Sequence, residues 1–132
     1  MPSLVGSEMC IRDSFYEAKL YMGSVDYSTR EQVSQHQVEL FCGKVHEEYD
    51  IVIPVRITST TFISETNYQE RGWEIAAINY PKFDFSRKQV KEFIMHLADR
   101  LLTEFNQRTI CVVDDTDYGL GKSVTMLENG DD

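Results

Sequence analysis

"SRKQVKEFIMHLADRLLTEFN", Ser86 to Asn106, is the stretch from which the fold can be read. Ser86 and Gln89 have the spacing of a capping box, in which a hydroxyl and a side-chain amide satisfy backbone N–H groups at a helix start. Val90, Phe93, Ile94, Leu97, Ala98, Leu101, Leu102 and Phe105 then recur at helical spacing, so one side of this helix must be buried. Asn106 suits a left-handed stop. What the helix is buried against follows from the segments around it.

On its C-terminal side "RTICVVDD" is a short apolar strand. On its N-terminal side "IVIPVRITSTTFIS" and "GWEIAAINY" are β-branched runs joined by the polar "ETNYQER", a hairpin pattern. Pro54 points to an edge or a bulge in the first run. Further back, Ala18, Leu20 and Met22 alternate with Glu17, Lys19 and Tyr21, which is the period of a strand. Ser28 and Glu31 then offer a second capping box ahead of Val38, Phe41, Cys42, Val45 and Tyr49, predicting a helix over 29–48.

The order is β-α-β-β-α-β, which predicts an α+β, ferredoxin-like fold: a four-stranded antiparallel sheet with two helices on one face. The other face is open and must be solvated, covered by a partner or used for binding. Alternation places Lys19, Tyr21, Arg56, Thr58, Thr60 and Phe62 there. For the third strand the pattern allows either Trp73, Ile75, Ala77 and Asn79 or Glu74, Ala76, Ile78 and Tyr80.

The single domain is expected to span 15–115, with 116–132 an acidic flexible tail. Residues 1–14, "MPSLVGSEMCIRDS", have no basic start and no apolar block, so they do not form a secretory signal. They resemble translated sequencing-adapter peptides and are set aside as a non-native leader.

With 132 residues and 42% hydrophobic content the chain has the composition of one globular domain. Its net charge of −9 argues against unspecific binding to nucleic acid or to anionic membranes. No apolar run approaches the roughly 20 residues of a membrane span. Three widely spaced cysteines, Cys10, Cys42 and Cys111, suit a reducing compartment, and a cytoplasmic protein is expected.

"CVVDDTDYGLGKSV" looks like a strand entering a phosphate loop, but Thr116 stands where the first glycine of that motif belongs, and Asp114, Asp115 and Asp117 would repel phosphate. The histidines His36, His46 and His96 lack metal-ligand spacing, and no cofactor or metal is expected. Cys42 and Cys111 read as small buried hydrophobes. What stands out is the aromatic and cationic set Tyr21, Arg56, Phe62, Tyr68, Arg71, Trp73 and Tyr80, where rings stack a flat group and guanidinium forks hold phosphate or carboxylate; Tyr21, Arg56, Phe62, Arg71 and Trp73, with Asn79, are the expected ligand-binding residues. The same residues suit plain structural roles, with Trp73 and Phe62 in the core and Arg56 and Arg71 solvated or ion-paired.

A first strand ending "LYMG", a capped helix, a hairpin turning at Glu/Arg-Gly, and a final "TICVVDD" together resemble the phage sponges of Thoeris anti-defence, which sequester cyclic ADP-ribose-type signals. The resemblance implies a homo-oligomeric, non-catalytic binder of a small phosphorylated, purine-containing ligand, acting in a host cytoplasm. A second reading is an acidic interaction protein that inhibits a host enzyme by imitating nucleic acid, motivated by "HEEYD", "DDTD" and "NGDD". A third is an enzyme using carboxylates such as Asp26, Glu65 and Glu74.

Overall fold

A computed structural model of the chain describes residues 16–49, 53–65, 68–79, 85–115 and 122–129. The leader at 1–14 lies outside the described residues. Strand β1 (Tyr16–Gly23) is followed by helix α1 (Gln35–Glu47), the hairpin β2 (Val55–Glu65) and β3 (Tyr68–Asn79), helix α2 (Arg87–Glu104), β4 (Thr109–Asp115) and β5 (Lys122–Glu128). The strands form one antiparallel sheet in the order β2-β3-β1-β4-β5.

The sheet has five strands where four were expected. Residues 122–128, read as tail from their acidic surroundings, pair with β4 from Thr109↔Glu128 to Asp115↔Lys122. The alternation was present in Val124, Met126 and Glu128 against Thr125 and Leu127, but the run is short and half polar. Leu127 packs against the core, and Val124 and Met126 project to the exposed side.

Both helices begin at capping boxes, but the first box is not the expected one. Ser34 Oγ accepts from the Gln37 N–H while Gln37 Oε1 accepts from the Ser34 N–H, so α1 starts at Gln35 rather than near 29. The earlier Ser28/Glu31 pair is outcompeted by Asp26, whose Oδ1 takes both the Ser28 and the Thr29 N–H at 2.9 Å and folds the chain into a turn. Arg30 completes that turn with φ of 66°. In α2 the Ser86/Gln89 box forms as expected, and Asn106 ends the helix region with φ of 46°.

One hydrophobic cluster holds Ala18, Leu20 and Met22 of β1, Trp73, Ile75 and Ala77 of β3, Ile110 and Val112 of β4 and the stripes of both helices. Both helices therefore cover the same face of the sheet. This settles the third strand: Trp73, Ile75 and Ala77 face the helices, and Glu74 and Ala76 face away. Register follows, with Tyr21 opposite Glu74 and Lys19 opposite Ala76. Among the described residues no helix is long and apolar enough to cross a membrane.

Gly43 lies on the exposed side of α1, and a methyl group there would meet no atom within 4 Å. Gly43→Ala should therefore stabilise the fold by about 1 kcal/mol, raising the melting temperature by a few degrees. An unchanged or lower melting temperature would contradict this placement.

Candidate functional site

The open face of the sheet carries a charged and aromatic floor. Lys19 Nζ lies 3.0 Å from Glu74 Oε1 and 3.3 Å from Glu17 Oε1, and Arg56 lies 3.4 Å from Glu17 Oε2. The Tyr21 hydroxyl donates to Glu74 Oε1 at 3.3 Å. The Phe62 ring meets the Tyr21 ring edge-on, with centroids 6.4 Å apart. Lys19 is held above its ordinary pKa, chiefly by its hydrogen bond to Glu74. The Tyr21 phenol is also raised, first by burial and then by the Glu74 charge. Glu74 thus stands at the centre, one strand from each of its partners.

At the end of this floor, Gly23 of β1 faces Gly72 of β3. A side chain on Gly23 would collide with the Glu70 carboxylate, and one on Gly72 with the Met22 carbonyl and the Phe62 ring. The two glycines let Glu70 and Phe62 lie over the backbone, and Glu70 Oε2 accepts the Ser24 N–H at 3.0 Å. A carboxylate fixed by a backbone donor is set in direction before any ligand arrives. Glu70 was not among the expected site residues. The only signal in the sequence was a glutamate two positions before a strand glycine, which many hairpins share.

On the opposite side of the same sheet end, Ser24, Gln32, Gln35, Ser59, Arg71 and Trp73 line a cleft of about 220 Å³. Trp73 is buried, and its Nε1–H donates to Gln35 Oε1 at 3.2 Å. Arg71 is exposed at the cleft.

The six residues expected to form one site are therefore divided. Tyr21, Arg56 and Phe62 share the open face, with Arg56 tied into an ion pair. Arg71 and Trp73 share the cleft. Asn79 sits at the far end of β3, paired with Tyr16, and its side chain lies outside the described residues. The division follows from the strand period of two, since Arg71 and Trp73 have the opposite parity from Gly72 and Glu74.

Other reactive groups stay apart from this end. Burial pushes the Cys42 thiol up to about 12, which suits a core residue. His46 Nε2 lies 2.7 Å from the Ile53 carbonyl, and His96 faces Glu48. Among the described residues no group of three His, Cys, Asp or Glu side chains converges to hold a metal.

No family model matches the chain, and no curated protein matches it. Solved structures do. A phage SAM lyase in its apo state superposes with a TM-score of 0.71 at 13% identity, covering 87% of this chain and 90% of that one. A phage SAM lyase in complex with S-methyl-5'-thioadenosine superposes with a TM-score of 0.64 at 12% identity, covering 88% and 91%. At this identity the likeness establishes a shared fold. It also corrects the expectation of a non-catalytic binder, because both structures that share the fold are enzymes.

The Lys19 and Tyr21 shifts make a prediction for alkaline stability. Lys19 is protonated in both folded and unfolded chains below its ordinary pKa, so its contribution is complete there. Above about pH 10 the unfolded chain releases protons first, and stability falls as pH rises through the folded value. Tyr21 acts in the same direction. Glu74→Gln removes the largest cause for Lys19, so denaturant unfolding between about pH 8 and pH 11 should show a shallower decline than in the native chain. Parallel declines would show that Glu74 does not organise this face.

Proposed function

We propose that this chain is a lyase acting on S-adenosylmethionine or a closely related adenosine sulfonium, at the end of the sheet bounded by Gly23 and Gly72. The observation that carries the reading is the near full-length likeness to two SAM lyase structures, one holding methylthioadenosine. The site is chemically suited to it. A sulfonium cation is favoured over aromatic faces and beside carboxylates, which Tyr21, Phe62, Glu70 and Glu74 provide. Arg71, across the sheet in the cleft with Trp73, takes no part in this floor.

Cleavage of the bond between sulfur and the amino-acid chain leaves its electron pair on sulfur. The sulfonium becomes a neutral thioether, methylthioadenosine, so no acid is needed to protonate the leaving group. At the carbon that leaves sulfur, the broken bond is replaced either by a C–O bond from the substrate's own carboxylate, closing a lactone, or by a C=C bond whose electron pair comes from the adjacent C–H as a base takes that proton, for which Glu70 and Glu74 are the nearby groups. The protein's main contribution in both routes is to orient the substrate and exclude water.

In this reading the units from β1 to β4 form a ferredoxin-like core extended by β5, and the protein works in a phage-infected host cytoplasm. A second copy covers the open face. Val124 and Met126 are 61% and 54% exposed on the open side, an apolar strip that another subunit would cover.

The test is incubation of the purified chain with S-adenosylmethionine and chromatographic detection of methylthioadenosine, alongside melting with methylthioadenosine itself. A hundredfold excess over Kd adds about 2.7 kcal/mol, a shift of several degrees. Product should form, and Glu70→Gln should reduce its rate by about a hundredfold while retaining a cooperative melt. A thermal shift without turnover would favour the sponge resemblance instead, and neither shift nor product would remove the proposal.

A further inference from the structure

We infer that β5 pairs edge to edge with the β5 of a second copy of this chain, joining two five-stranded sheets into one. Strand β5 ends the sheet order, and among the described residues nothing pairs with its outer side. An outer strand leaves alternate N–H and C=O groups pointing away from the sheet, where another strand can take them. Proteins usually blunt such an edge with a charge in its middle, a proline or a bulge. Strand β5 has none of these. Its charged residues stand only at its two ends, it contains no proline, and its pairing with β4 runs from Thr109↔Glu128 to Asp115↔Lys122 without a register shift. The other edge strand, β2, is irregular, because its register shifts between Ile63 and Glu65.

The sequence of the strand itself identifies the partner. Two copies paired antiparallel about a two-fold axis through Thr125 set Lys122 opposite Glu128, Ser123 opposite Leu127 and Val124 opposite Met126, each pair occurring twice. Opposed residues in an antiparallel pair belong to the same face, and every pair in this register has matching parity. Residues of opposite charge are thus opposed at both ends of the contact, with an apolar pair on each side of its centre. A slip of two residues one way sets Lys122 opposite Met126, and the other way sets Glu128 opposite Val124. Either slip leaves strand residues unpaired, so only the unslipped register uses the whole strand and matches both charges.

Val124 and Met126 are 61% and 54% exposed, and Glu128 is exposed as well, so a partner strand can reach them. In the pair, the apolar residues of both copies form one strip across the junction. The net charge of −9 makes two copies repel at a distance, so association needs opposite charges where they touch. A second β5 brings both signs in the required order. This contact is independent of the lyase reading and of a copy lying over the open face, because it joins two sheets side by side, away from the floor around Glu74.

Sedimentation velocity of the full chain over a range of concentrations tests the pairing, and a concentration-dependent dimer is expected. Lys122→Glu and Glu128→Lys should each weaken it by about tenfold or more, because each sets like charges opposite at both ends. An equimolar mixture of the two variants should restore most of the native affinity, since every introduced charge then meets its opposite. Mixing would not rescue local damage to β5 or a dimer formed over the open face. Thr125→Cys tests the register without changing charge. Opposed Cα atoms in an antiparallel pair lie about 4.5–5.5 Å apart, within disulfide reach, so mild oxidation should link the two substituted positions, as mapped by peptide mass spectrometry. Circular dichroism melts identify any variant that fails to fold. A monomer at every concentration, a dimer indifferent to the charge reversals, or a mixture no stronger than its components together with no link at position 125 would overturn the inference.

Discussion

Strand β1 is the constraint on which the rest depends. It is the middle strand of the sheet, paired with β3 along its whole length and with β4 over Ala18 to Tyr21. Its inner residues, Ala18, Leu20 and Met22, are at most 1% exposed. Because alternation is strict, burying those three forces Lys19 and Tyr21 outward. A slip of one residue would place Lys19 in the core and Leu20 in water. The register that satisfies the core is therefore also the one that brings Tyr21 opposite Glu74.

The same strand ends where the cleft of Arg71 and Trp73 begins. Gly23 gives room to Glu70, Ser24 offers its N–H to that carboxylate, and the chain then leaves the sheet in a loop closed at its base by the Val33 N–H on the Ser24 carbonyl. The base of this loop borders the cleft of Arg71 and Trp73, and its tip sets Tyr27 beside Asn106 and Arg108. Placing sites at the end of a rigid sheet, on a loop with fixed ends, is how a small domain combines precise positioning with exposed chemistry.

The surface ion pairs of the open face contribute modestly to stability, since exposed pairs are worth about 1 kcal/mol or less. Their effect is more on placement. Glu74 receives Lys19 and Tyr21 together, which limits where its charge can point, and Arg56 is drawn to Glu17 rather than toward a ligand. The floor therefore presents carboxylates and rings, with its cations already paired. The fold shared with the two solved structures and the acidic floor are separate observations, one of shape and one of residue chemistry.

The sequence by itself determined the two helices, the central strands, the Ser86–Gln89 start of α2 and the outward residues Lys19, Tyr21, Arg56 and Phe62. Each of these is carried by local hydrogen bonding or by a period that can be counted along the chain. Only the tertiary structure decided the phase of β3, because "GWEIAAINY" is apolar on both parities and the choice was made by the helices packing on Trp73, Ile75 and Ala77. Only it selected Ser34 over Ser28 as a cap, since Asp26 had already taken the nearby N–H groups. The β5 strand was hidden by a short, half-polar run in acidic surroundings, and the anchored Glu70 was out of reach because its donor, the Ser24 N–H, lies 46 residues away in the chain.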